Sequence, residues 1–150
     1  MIRKLIGILL IAGIIAVILF LALLNPHETW QLSYSVQQFL IKLFHQNHQY
    51  LPRWVSDLRW LRIIAHIPIY FILGLIVRVF LFRGGTSALV CFGVSLLEET
   101  LKFFLPTREF GWIDLGFDAL GYLFGVLLIE LYSRWHKGRY KRRDRLDLSS

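Results

Sequence analysis

Residues 95–125, SLLEETLKFFLPTREFGWIDLGFDALGYLFG, decide the fold. Apolar residues dominate on both sides of a Pro106–Gly111 turn, yet Glu98, Glu99, Lys102, Arg108, Glu109, Asp114 and Asp118 interrupt them. A charge at the centre of a bilayer costs ~2.5–3.5 kcal/mol on insertion scales, so several within one pair of spans must be paired, cavity-facing or functional. The remaining sequence reads as the scaffold that holds them.

Composition agrees with a membrane setting. The chain has 150 residues, of which 56% are hydrophobic and 15% aromatic, and its mean hydropathy of +0.56 is too high for an ordinary soluble domain. The single Cys91 excludes an intramolecular disulfide and reads as packing. Net charge is +7, but the cations lie where membrane topology requires them. Arg3 and Lys4 precede the first apolar run, and Arg134, Lys137, Arg139, Lys141, Arg142, Arg143 and Arg145 follow the last. Lys and Arg mark cytoplasmic flanks, so both termini are expected in the cytoplasm with an even number of spans between them. The basic segment 133–150 suits attachment to the anionic inner leaflet, and without a recognition fold its charge does not imply a nucleic-acid partner.

Working outward, the pattern predicts an all-α protein. Its architecture is an integral membrane four-helix bundle, with spans at about 5–24, 63–82, 86–105 and 112–132 inside a transmembrane domain of residues 1–132. The run Leu5–Leu24 is longer than the ~7–15-residue apolar core of a signal peptide, which is the rival reading. Asn25-Pro26 stops that helix. Beyond it, Leu32, Val36, Phe39, Leu40 and Leu43 recur at helical spacing, predicting an amphipathic helix on the outer membrane surface, either packed at the interface or serving as a lid. Trp30, Trp54 and Trp60 suit the headgroup belt. His27, His45 and His48 lack companion ligands, so no metal site is read there. Pro68 is expected at the start of the second span, where it need not kink the helix. Arg78 is expected near the inner end of that span, snorkelling to headgroups or pairing within the bundle.

Lys102 lies four residues after Glu98 and three after Glu99, which allows ion pairing along one helix face. Asp114, Asp118, Gly121, Tyr122 and Gly125 form another stripe, acidic at one end and small at the other, where Gly121 and Gly125 let a second helix come close. With His66 and Tyr70 four residues apart on the second span, these groups are expected to meet in a polar pocket at the outer side. His66, Glu99 and Asp114 are the candidate catalytic residues. Tyr70, Glu98, Lys102, Arg108 and Asp118 are the candidate ligand-binding residues, Arg108 being suited to phosphate or carboxylate. No residue pattern specifies a cofactor.

Glu98-Glu99-x-x-Lys102-x-x-x-Pro106-x-Arg108, followed by Asp114-x-x-x-Asp118-x-x-Gly121-x-x-x-Gly125, resembles the core signature of the VanZ-like membrane proteins. Arg62-x-x-Ala65-His66-x-x-x-Tyr70-x-Ile72-Leu73-Gly74 is similar to that family's second-span pattern, so the likeness covers about residues 62–130. Lys102 stands where the family pattern usually has Gln, Thr107 replaces a turn glycine, and Ile69 stands where many members carry Glu. The resemblance implies a bacterial plasma-membrane protein of the cell envelope, connected with reduced sensitivity to lipid-bearing glycopeptide antibiotics. The expected partners are membrane lipids, a lipid-linked or phosphate-bearing envelope precursor or the glycopeptide, and a second copy of the chain. An enzyme, a noncatalytic scaffold for envelope enzymes and an oligomeric ion-coupled transporter all remain compatible with these residues.

Overall fold

The computed structural model describes residues 2–46, 52–81, 85–105 and 110–147, with side chains except at 45, 46, 53, 54 and beyond 137. Regular structure among the described residues is entirely helical: α1 (Ile2–Leu23), α2 (Pro26–Gln46), the single turn α3 (Arg53–Ser56), α4 (Leu58–Phe80), α5 (Gly85–Phe103) and α6 (Trp112–Asp147). The side chains of His45 and Trp54, and all of His48, lie outside the described residues.

Local sequence explains the breaks. Between α1 and α2, Asn25 Oδ1 accepts from the Glu28 amide at 2.9 Å while Glu28 Oε2 accepts from the Asn25 amide at 3.0 Å, a reciprocal cap. Pro26 takes the first helical position, where its missing N–H would have had no partner anyway. The amphipathic segment thus begins directly after α1. Asp57 caps α4 by accepting from the Arg59 amide at 2.9 Å. This start is earlier than the span predicted from residue 63, and it puts Pro68 in the helix interior, where an i−4 bond is lost. Apolarity alone marks the membrane-length segment, whereas the Asp57 cap sets the helix start.

Helices α1, α4 and α6 are long and apolar enough to cross a membrane. The third expected span, α5, has 19 residues and is not among them, because Glu98, Glu99 and Lys102 lower the apolarity of its C-terminal half. Those three side chains are nonetheless buried, facing the protein and not its surroundings. Helix α6 continues well past residue 132, so the basic segment is an extension of the helix over 133–147.

Helix α4 is the hub, touching each of the other five, and its contact with α6 is the most extensive. Glycines make that contact close. A Cβ on Gly121 would sit 2.6 Å from the Ile67 carbonyl oxygen, and one on Gly125 would sit 2.5 Å from that of Phe71. On the facing side, a Cβ on Gly74 would sit 2.5 Å from the Tyr122 carbonyl oxygen. The two backbones therefore approach through a small-residue seam. Ile11 and Ile18 of α1, Tyr70, Leu73 and Val77 of α4, Cys91 and Val94 of α5, and Tyr122 of α6 form the buried core. At the far end of the seam, Arg78 meets Glu130 of α6 at 2.5 Å, so it pairs within the protein. Many large apolar side chains point outward, among them Leu9, Phe20, Phe39 and Phe124, as helices bathed in lipid require.

Candidate functional site

At the opposite end from the Arg78–Glu130 pair, α4, α5 and α6 bring their polar residues together. Ser95, Glu98, Glu99 and Lys102 share one face of α5 because they are three and four residues apart. All four are buried, and Glu99 and Asp118 are completely inaccessible.

Two hydrogen-bonded sets account for these groups. In the first, Lys102 Nζ contacts Glu98 Oε1 at 2.8 Å and Glu99 Oε1 at 2.5 Å, with Asp114 Oδ2 farther off at 3.7 Å. The second oxygens of Glu98 and Glu99 are also engaged, since Tyr70 donates its hydroxyl to Glu98 Oε2 at 2.6 Å and the Gly111 amide donates to Glu99 Oε2 at 2.8 Å. One ammonium is thus held by two neighbours on its own helix, and Glu99 ties the end of α5 to the turn entering α6. Breaking a buried ion cluster of this kind is costly, because a charge is left uncompensated in a low-dielectric interior.

In the second set, His66 Nδ1 lies 2.7 Å from Asp118 Oδ1, and Ser95 donates its hydroxyl to Asp118 Oδ2 at 2.5 Å. An ionised carboxylate has no proton to give, so the imidazole donates through Nδ1. This fixes the ring orientation and leaves Nε2 as the nitrogen available to another molecule. The ring is stacked nearly parallel to that of Tyr70, at 6.4 Å between centres, so the two sets stand side by side.

Two cavities meet here. One, of about 140 Å³, is walled mainly by apolar residues of α1, α2 and α4, including Ile18, Leu21, Leu32, Val36 and Ile69, and ends at Arg62, His66, Tyr70, Glu98 and Lys102. The second is larger, about 470 Å³, and polar; Arg59, Arg62, His66, Lys102 and Asp114 line it with Trp112 and Ile113. His66, Arg62 and Lys102 border both.

A cation site is geometrically available, since His66, Glu98 and Asp118 each offer a ligand atom within 4.8 Å of the others. The donor set fits one poorly. Both Asp118 oxygens and both Glu98 oxygens already have partners, and one of those partners is the Lys102 ammonium, which repels a metal ion.

The sequence and the structure group the candidates differently. His66, Tyr70, Glu98, Lys102, Asp114 and Asp118 are brought together at this junction. Glu99 borders neither cavity. Its two oxygens serve Lys102 and Gly111. Arg108 lies outside the described residues. Ser95, Arg59 and Arg62 were not among the expected site residues. Ser95 precedes Glu98 and Glu99 by one turn on the same face, so spacing alone can find it.

The model of the VanZ/LLP1 family matches residues 7–133, nearly the whole described bundle. The chain belongs to the VanZ/LLP1 family. No curated protein and no solved structure matches it. For this VanZ-like protein the matched region includes every residue of the two hydrogen-bonded sets and every wall of the two cavities. The polar cluster is therefore part of the family's region and is not an appended feature.

Proposed function

We propose that this VanZ-like protein sits in the bacterial plasma membrane and binds or modifies a lipid-linked or phosphate-bearing component of the cell envelope, lowering sensitivity to glycopeptide antibiotics. The observation that carries the proposal is the His66–Asp118 pair: a carboxylate-oriented imidazole whose ring borders an apolar and a polar cavity at once. In this reading α5 joins α1, α4 and α6 as a fourth span with both termini cytoplasmic. Burial of Glu98, Glu99 and Lys102 supports it, since the charges that make α5 less apolar are hidden from lipid.

The chemistry follows from the geometry. His66 Nε2 accepts or returns a proton at the bound component, and Asp118, held by Ser95, stabilises the imidazolium form. Lys102, with Asp114 beside it, faces the same space and orients the ligand's polar part, while Glu99 keeps the ammonium in position. The apolar cavity, open between α1, α2 and α4, receives the part of the ligand that belongs in the membrane.

A noncatalytic scaffold is the second reading, and the closed ion cluster around Lys102 favours it, because those carboxylates are neutralised. Replacing His66→Asn at matched membrane abundance separates the two. Loss of protection against a lipid-bearing glycopeptide supports a working imidazole, and full protection supports the scaffold.

A further inference from the structure

The two cavities differ in charge as well as polarity. Among the described residues, cationic Arg59, Arg62 and Lys102 line the larger one with one carboxylate, Asp114. Lys102 is already committed to Glu98 and Glu99, but the Arg59 and Arg62 side chains have no hydrogen-bond or ion-pair partner among the described residues, and both are exposed at the mouth. The two guanidiniums stand three residues apart on α4, hence on one face, directly over the polar cavity. Arg62 also borders the apolar cavity, so the cationic mouth and the apolar wall are continuous.

We infer that the ligand is an amphiphile with a phosphate monoester head, held by Arg59 and Arg62, and one hydrocarbon chain lying between α1, α2 and α4. This rests on the proposed function and narrows it to a ligand class and two recognition residues. A phosphate monoester carries about −1.5 to −2 charges at neutral pH, which suits the two uncommitted guanidiniums of Arg59 and Arg62. Two guanidinium forks suit its three terminal oxygens, whereas a single carboxylate needs only one. The apolar cavity, about 140 Å³, is the size of a void that takes a benzene-sized ring, so it accepts a slim chain and not a bundle of them. The exposed apolar residues Leu32 and Val36 of α2 continue its wall toward the surroundings, giving the rest of the chain an exit to lipid. His66 then stands where head and chain join, since it borders both spaces.

Full-length protein in detergent is titrated with tetradecyl phosphate, tetradecanol and inorganic phosphate, with bound ligand counted by native mass spectrometry. One tetradecyl phosphate is expected per chain, with both comparison compounds weaker by about tenfold or more. The surface double variant Arg59→Gln with Arg62→Gln, and separately Leu32→Trp in the apolar wall, should each weaken tetradecyl phosphate by about tenfold or more while thermal unfolding stays unchanged. Equal binding of tetradecanol overturns the anionic head, and inorganic phosphate binding as tightly as tetradecyl phosphate overturns the chain site. Undiminished binding in the arginine variant overturns the placement. If that happens while His66→Asn still abolishes antibiotic protection, only this inference fails. If binding behaves as expected but His66→Asn protects fully, the acid–base reading of the site fails instead.

Discussion

His66 and Asp118 are 52 residues apart in the chain and 2.7 Å apart in space, joined across the α4–α6 seam. The seam makes this pairing available: Gly121, three residues after Asp118, lets α6 approach the α4 backbone near Ile67, the residue next to His66. Packing and chemistry are therefore coupled at one point. A wider seam would withdraw the carboxylate from the imidazole.

Asp118→Asn keeps the shape of the buried side chain and removes its charge. Ser95 can still donate to the amide oxygen, but the amide no longer stabilises an imidazolium. Function should fall by roughly a hundredfold or more, toward the ~10⁴-fold loss seen when the carboxylate that orients a general-base histidine becomes an amide, with membrane abundance near normal. Ser95→Ala should cost less, because one partner of Asp118 remains. Antibiotic sensitivity against expression level, measured for both variants, checks the order; equal effects of the two would show that Asp118 is not the member that matters.

Lys102→Met leaves Glu98 and Glu99 buried without their shared cation. Removing one partner of a buried ion cluster costs about 3–5 kcal/mol, so the variant should unfold at clearly lower temperature in detergent. Adding Glu99→Gln should recover part of that loss, since one uncompensated charge is gone. Thermal unfolding of the single and double variants measures the recovery. Unchanged stability in Lys102→Met would mean that the cluster does not hold α5 in place.

Gly125→Leu puts a side chain against the Phe71 carbonyl and the Leu75 amide, backbone atoms that cannot rotate away. Overpacking typically costs about 1–3 kcal/mol, and a contact between two backbones belongs at the upper end. The expected outcome is reduced folded protein together with weakened function, because the seam also sets the His66–Asp118 distance. Gly93, whose added Cβ would meet nothing within 4 Å, is the control site: Gly93→Ala should be tolerated.

Asn25→Ala removes the reciprocal cap between α1 and α2. A lost N-cap costs ~1 kcal/mol, so the stability change should be small, as read by the unfolding midpoint. Because α2 walls the apolar cavity, ligand retention should suffer more than stability does.

Much of this arrangement is legible in the linear pattern, for stated reasons. Predominantly apolar segments of membrane length announce α1, α4 and the first part of α6, because such segments are stable in lipid. The Lys102 pairing follows from helical spacing, which needs no tertiary knowledge. The start of α4 is hidden, since hydropathy reports the membrane-length segment while the Asp57 cap sets the helix boundary; that start places Arg59 on the same helix as Arg62, which the second-span pattern names without a role. Nor does spacing reveal that His66 takes Asp118 as its partner and that Glu99 turns to Gly111. Both choices depend on how α4, α5 and α6 rotate about one another, and the glycine seam decides that rotation only once the helices have met.

The most direct measurement is a mass-spectrometric comparison of envelope lipids from cells making the wild-type protein, cells making His66→Asn at the same membrane level, and cells making neither. Proton transfer by His66 predicts at least one lipid-linked, phosphate-bearing species whose abundance changes with the wild type and returns to the level of the protein-free cells with His66→Asn. Identical profiles for the wild type and His66→Asn, with both protecting against the glycopeptide, would contradict it.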